Sequence, residues 1–148
     1  TYNPSTGKVT ATGFIGTLTG PTCMLSTKAD GYAMTAAESG CVVLQANTNL
    51  ADINLPATVA GLKYTFIWIG AAAAQFTISP NADDKIMGSI IDIADGNIVL
   101  SGTNGAGNDG KHVALDNGSK IGDRITLLGD GTDGWVILDG VGSWSFES

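Results

Sequence analysis

Leu62-Lys63-Tyr64-Thr65-Phe66-Ile67-Trp68-Ile69 is the stretch whose reading decides the fold. Leu62, Tyr64, Phe66 and Trp68 recur at period two, which puts them on one face of a strand. Lys63 and Thr65 open the other face as polar, and Ile67 and Ile69 close it as apolar. One face therefore meets a core along its length. The other needs cover at one end only, from a second sheet or a neighbouring subunit.

The same period recurs on both sides of this strand. Before it, residues 22–26, 32–35, 41–46 and 52–55 read as short strands, and Pro56 closes the last of them, because proline cannot donate to a ladder. After it come residues 75–79, then 85–93 with a bend at Gly88, then 97–100 and 112–115. Residues 121–128 and 134–139 read as a hairpin around residues 129–133, and residues 143–147 close the set with Trp144 and Phe146 alternating. No stretch holds apolar spacing at three and four, and only residues 30–38 carry enough alanine for a helical turn. The expected fold is all-β: an antiparallel β-sandwich or barrel of about ten short strands. No internal repeat is apparent.

Eight Asp-Gly or Asn-Gly dipeptides punctuate the chain, at Asp30, Asp95, Asn104, Asp109, Asn117, Asp130, Asp133 and Asp139. Such pairs accept the positive φ of tight hairpins and are expected to be turn corners. The stretch at 101–110, with four glycines and no large side chain, is the expected mobile loop.

Residues 1–21 differ from the rest, with isolated large side chains among Thr and Gly. They are expected to form an extended arm that docks on a neighbour, leaving residues 22–148 as a single domain. The contact candidates are Tyr2, Val9, Phe14, Ile15 and Leu18 of the arm, with Ile67 and Ile69 of the central strand.

Composition narrows the chemistry. The net charge is −7, and only 14% of the 148 residues are charged, against roughly 25% in an ordinary domain. The Lys and Arg residues are scattered singly, which argues against a phosphate-binding surface and hence against nucleic acid. No apolar run reaches the roughly 18 residues of a membrane helix, and the first five residues show no signal-peptide pattern.

No catalytic residue is assigned. His112 is the sole histidine and has no nucleophile elbow to serve. The aspartate pairs Asp83/Asp84, Asp92/Asp95 and Asp130/Asp133 sit in turn-like sequence, where a carboxylate caps local N–H groups. Two cysteines and a distant histidine make no zinc site, and a single Gly/Asp-rich stretch makes no calcium roll, so no metal or cofactor is expected. Cys23 and Cys41 read as two small buried residues, with pairing left open. Trp68, Trp135 and Trp144 read as core, or as stacking platforms wherever they are exposed.

Ala37-Glu38-Ser39-Gly40-Cys41-Val42-Val43-Leu44, Ile53-Asn54-Leu55-Pro56-Ala57, Ala60-Gly61-Leu62-Lys63-Tyr64-Thr65-Phe66, Phe76-Thr77-Ile78, Lys120-Ile121-Gly122-Asp123-Arg124-Ile125 and Asp133-Gly134-Trp135-Val136-Ile137 follow one another in an order that resembles small all-β virion proteins of tailed bacteriophages. The resemblance spans roughly residues 36–137 and is to capsid decoration (cement) proteins and to domains of tail fibres. Phe14-Ile15-Gly16-Thr17-Leu18-Thr19-Gly20 also looks like a segment of fibre proteins. A decoration protein of this kind implies a non-enzymatic homotrimer on the outer capsid surface, made in the host cytoplasm. It would bridge neighbouring major capsid subunits. The fibre resemblance implies instead a receptor-binding module that recognises host surface glycan.

Overall fold

The structure, a computed structural model, describes residues 2–3, 8–9, 23–46, 51–70, 76–92, 97–101, 113–115 and 118–146. Strands β1 (Tyr2–Asn3) and β2 (Lys8–Val9) pair with each other, antiparallel. There follow β3 (Met24–Leu25), β4 (Tyr32–Ala33), a single 3-10 turn (Ala36–Glu38), β5 (Val42–Gln45), β6 (Ala51–Asn54), β7 (Lys63–Trp68) and β8 (Phe76–Ser79). The remainder comprises β9 (Lys85–Asp92), β10 (Asn97–Ser101), β11 (Val113–Leu115), β12 (Arg124–Gly129), β13 (Gly134–Gly142) and β14 (Trp144–Phe146). Beyond the β1–β2 pair, a seven-stranded sheet runs β10-β9-β13-β12-β7-β5-β3 and a five-stranded sheet runs β14-β11-β8-β6-β4.

The all-β expectation holds, and each expected strand from residue 22 onward has a counterpart. The antiparallel expectation does not. From β3 to β8 the chain changes sheet after every strand. Consecutive strands of one sheet therefore run the same way, with a strand of the other sheet as the crossover. Accordingly β3, β5 and β7 are parallel neighbours, with Met24 beside Val42 and Val42 beside Thr65. On the facing sheet β4, β6 and β8 are parallel too, with Tyr32 beside Ile53 and Ile53 beside Ile78. Three coils thus stack along one half of the molecule. Their unequal lengths hide the repeat in the sequence. The β12–β13 hairpin then pairs antiparallel onto β7 while β13 meets β9 in parallel, and on the smaller sheet β11 pairs antiparallel with β8 and β14, so both sheets are mixed.

The sheets face each other across one core. Tyr64, Phe66 and Trp68 of β7 are fully buried, as are Ile53, Phe76 and Ile78 of the opposite sheet. Phe76 is the meeting point. Its ring lies 6.0 Å from that of Trp68, 6.4 Å from Phe66 and 5.6 Å from Trp144, which meets it edge-on. Such pairs add about 0.5–1.5 kcal/mol each beyond the area they bury. On the other flank Tyr64 packs at 5.4 Å from Trp135 and donates its hydroxyl to the Thr35 carbonyl at 2.8 Å.

Two sequence expectations change here. Cys23 and Cys41 form a disulfide, because parallel pairing of β3 with β5 sets them side by side, and the Val42 N–H donates to the Cys23 carbonyl at 2.8 Å. Cys41 is buried as expected, whereas Cys23 is exposed. Closing a loop between residues 18 apart stabilises the fold by about 3 kcal/mol through the unfolded chain. Asp139-Gly140 is not a turn corner: it lies inside β13, where a Cβ on Gly140 would come within 2.7 Å of Ile90 Cγ1. Gly134 likewise opens β13 at φ 144°, pressed against the Lys85 backbone where no side chain fits.

Phe76→Ala is expected to cost about 3–5 kcal/mol, as for other emptied aromatic core sites. Gly134→Ala is expected to cost at least about 1–3 kcal/mol from backbone strain alone. Urea unfolding monitored by tryptophan fluorescence measures both.

Candidate docking face

The inner face of the seven-stranded sheet supplies the core, and its outer face shows what the chain presents. The β7 positions alternate, with Lys63, Thr65 and Ile67 outward, and β12 does the same with Arg124, Thr126 and Leu128. Register then lays residues out in rows. Leu44, Ile67, Arg124, Val141 and Ile91 are successive partners across five strands. A second row runs Met24, Val42, Thr65, Thr126 and Asp139, and a third runs Lys63, Leu128, Val136 and Met87. A register shift between Thr126 and Leu127 leaves Leu138 as the extra residue of a bulge.

The result is a broad, mainly apolar sheet surface. Met24 is 62% exposed, Ile91 56% and Leu138 54%, while Leu44, Ile67, Met87, Leu128, Val136 and Val141 are half-buried by their own neighbours. Ile69 continues the outer side just past β7, at 42% exposed. Ile121 lies at the same end, because the Gly122 N–H donates to the Trp68 carbonyl. Arg124 and Asp139 are charged, and they neutralise each other at 2.8 Å. Both are about half exposed, so the pair adds little to stability. A solvent-facing sheet ordinarily alternates to polar residues. This one does not.

Of the contact residues expected from sequence, Ile67 and Ile69 lie together on this side. Tyr2 and Val9 are register partners in the β1–β2 pair, but their side chains lie outside the described residues, as do Phe14, Ile15 and Leu18. His112 and the glycine-rich stretch after Ser101 also lie outside. Met24, Leu138, Ile91 and Val141 were not singled out from sequence. Period two within β13 assigns Val141 outward only once the bulge is known, and Met24 stands in a strand of two residues.

Several aspartates accept backbone N–H groups, Asp130 within its own turn and others across the fold. One oxygen of Asp130 accepts the N–H groups of Thr132, Asp133 and Gly134 at 2.8–3.0 Å. Those bonds, with Thr132 foremost, hold its carboxyl below the usual range. Asp84 accepts from Thr58, Asp30 from Asp52, and Asp123 from Lys120 and Ser143. Among the described residues no pocket is found, and no three Asp, Glu, His or Cys side chains are placed to share a metal ion. Trp68, Trp135 and Trp144 are buried, so none offers a face for stacking on a sugar.

One ionic cluster stands out. Glu38 accepts hydrogen bonds from the Tyr32 hydroxyl (2.7 Å), the Thr35 N–H (2.8 Å) and hydroxyl (3.0 Å), and Lys28 (3.1 Å). Lys28 also lies over the Tyr32 ring at 4.0 Å. The cluster ties the 3-10 turn to β4 and to the segment after β3, a structural role. Burial opposes ionisation of Glu38, but the Tyr32 and Thr35 hydrogen bonds and Lys28 outweigh it and bring its pKa down from 4.5 to about 2.

No protein-family model matches the chain, and no curated protein matches it.

The fold binds the ionised form of Glu38, so its contribution is fully present above pH 4.5 and is lost as pH falls through about 2. Urea midpoints recorded from pH 5.5 to pH 2 are expected to fall through that window. In Glu38→Gln this share of the slope is expected to vanish, with a lower midpoint at pH 5.5.

Proposed function

We propose that this protein is a structural virion component that binds the outer surface of a phage capsid and bridges neighbouring major capsid subunits. Its likeness to small all-β decoration proteins supports that reading. The observation that carries it is the mainly apolar outer face of the seven-stranded sheet, where Ile67 and Val141 flank the Arg124–Asp139 pair. A face of this kind gains free energy by being covered, at about 25 cal/mol per Å² of apolar surface removed from water. Repeated over a lattice, many moderate contacts of one kind give strong retention without any catalytic step. In this proposal the chain is a homotrimer and carries no cofactor, and nucleic acid and membrane are not its partners. The glycan-binding alternative relied on exposed tryptophans, and their burial removes that support.

Ile67→Lys combined with Ile91→Lys is expected to weaken binding to purified heads at least about tenfold, as expected for charges set at the centre of an interface. The urea midpoint should stay near that of the parent, since both side chains face outward. Cosedimentation with heads measures binding. Unchanged binding by a folded double variant would sink the proposal. Quantitative mass spectrometry of virions is expected to find hundreds of copies per particle. A handful of copies would point to the tail instead.

A further inference from the structure

We propose that the Cys23–Cys41 disulfide is a redox-operated clasp: thiol reduction unseats the edge strand β3 from β5 and leaves the rest of the sandwich folded. This does not depend on the virion reading.

The placement of the bond carries the inference. β3 is the terminal strand of the seven-stranded sheet and pairs through only two residues, Met24 with Val42 and Leu25 with Val43. Met24 faces outward, and Leu25 packs only at the margin of the core. Such a strand is drawn from the low-stability end of a fold. Just after it the chain is held differently. The Thr27 hydroxyl donates to the Leu44 carbonyl and accepts the Ala46 N–H. The Gln45 side chain makes two bonds with the Lys28 backbone, accepting its N–H and donating to its carbonyl. Residues from 27 onward are therefore anchored without the disulfide. Upstream of them, among the described residues, the bond, the two-residue ladder and the Val42-to-Cys23 hydrogen bond secure the strand.

The bond is also open to reagents from one side. Cys23 is exposed and Cys41 is 3% exposed. A dithiol's thiolate attacks the Cys23 sulfur, and Cys41 leaves as a thiolate and takes a proton. The reagent's second thiolate then displaces Cys23, which also takes a proton. The dithiol ends as a cyclic disulfide, having supplied two electrons and two protons. Unseating β3 uncovers the edge of β5, at Val42–Gln45, as an open parallel ladder.

Hydrogen–deuterium exchange of the full chain, with and without dithiothreitol, tests the clasp. On reduction the amides of residues 23–26 and of Val42 are expected to exchange at the rate of unstructured chain, while those of Arg124–Gly129, though speeded by the lost loop closure, stay at least about a hundredfold slower than that rate. The Cys23→Ser, Cys41→Ser double variant is expected to reproduce the reduced pattern without reagent. Identical exchange in the two redox states of the wild-type chain would overturn the proposal. Exchange of both segments at the rate of unstructured chain on reduction would overturn it too, since the bond would then staple the whole fold.

Discussion

Everything in this molecule leans on the contact between β7 and β8 across the sandwich. The row Tyr64, Phe66 and Trp68 points inward from the larger sheet, and Phe76 of the smaller sheet takes two of those rings and adds Trp144. The hydrophobic and aromatic gain is concentrated there, so the strands on either side can be short. β3 and β4 have two residues each and pair onto longer neighbours fixed by this core, β3 with the disulfide to fasten it. A chain that is 14% charged and rich in glycine tolerates such short strands because its centre is dense in aromatic side chains.

That same commitment of the inner face creates the outer one. Once even-numbered residues of β7 and odd-numbered residues of β12 are inside, the alternate positions must face out, and there Ile67 and Leu128 stand beside Lys63, Thr65, Arg124 and Thr126. The apolar part of the outer surface is thus written into strands whose other face the core requires. Among the described residues, charge on it comes from Lys63 and Lys85 toward one end and from the mutually neutralising Arg124 and Asp139. A surface built this way suits burial against a partner more than exposure to water, and the low charge of the whole chain points the same way.

Strand positions were legible because period two is a local property: each side chain sits one residue from its opposite face. Which strands pair, and in which direction, is not local. Parallel pairing of β5 with β7 depends on β6 crossing to the other sheet between them, and coils of unequal length leave no period to detect. The disulfide was hidden for the same reason, since only β3–β5 register brings Cys23 to Cys41. Asp139-Gly140 carried a genuine turn signal, which lost to the close approach of β13 and β9, where only glycine clears Ile90. The docking face was half legible. Ile67 and Ile69 broke the polar alternation of their strand in plain view, whereas Leu138 and Ile91 joined them only through a bulge and a parallel pairing.

The three methionines of the chain allow the direct test. Met24 and Met87 lie on the outer face of the larger sheet, and Met34 is in the core at 3% exposure. Methionine oxidation footprinting, read by mass spectrometry on the free protein and on purified virions, compares them in one experiment. The account predicts that Met24 and Met87 oxidise readily in the free protein and are protected on the particle, with Met34 protected in both. Equal oxidation of Met24 and Met87 in the two states would contradict it.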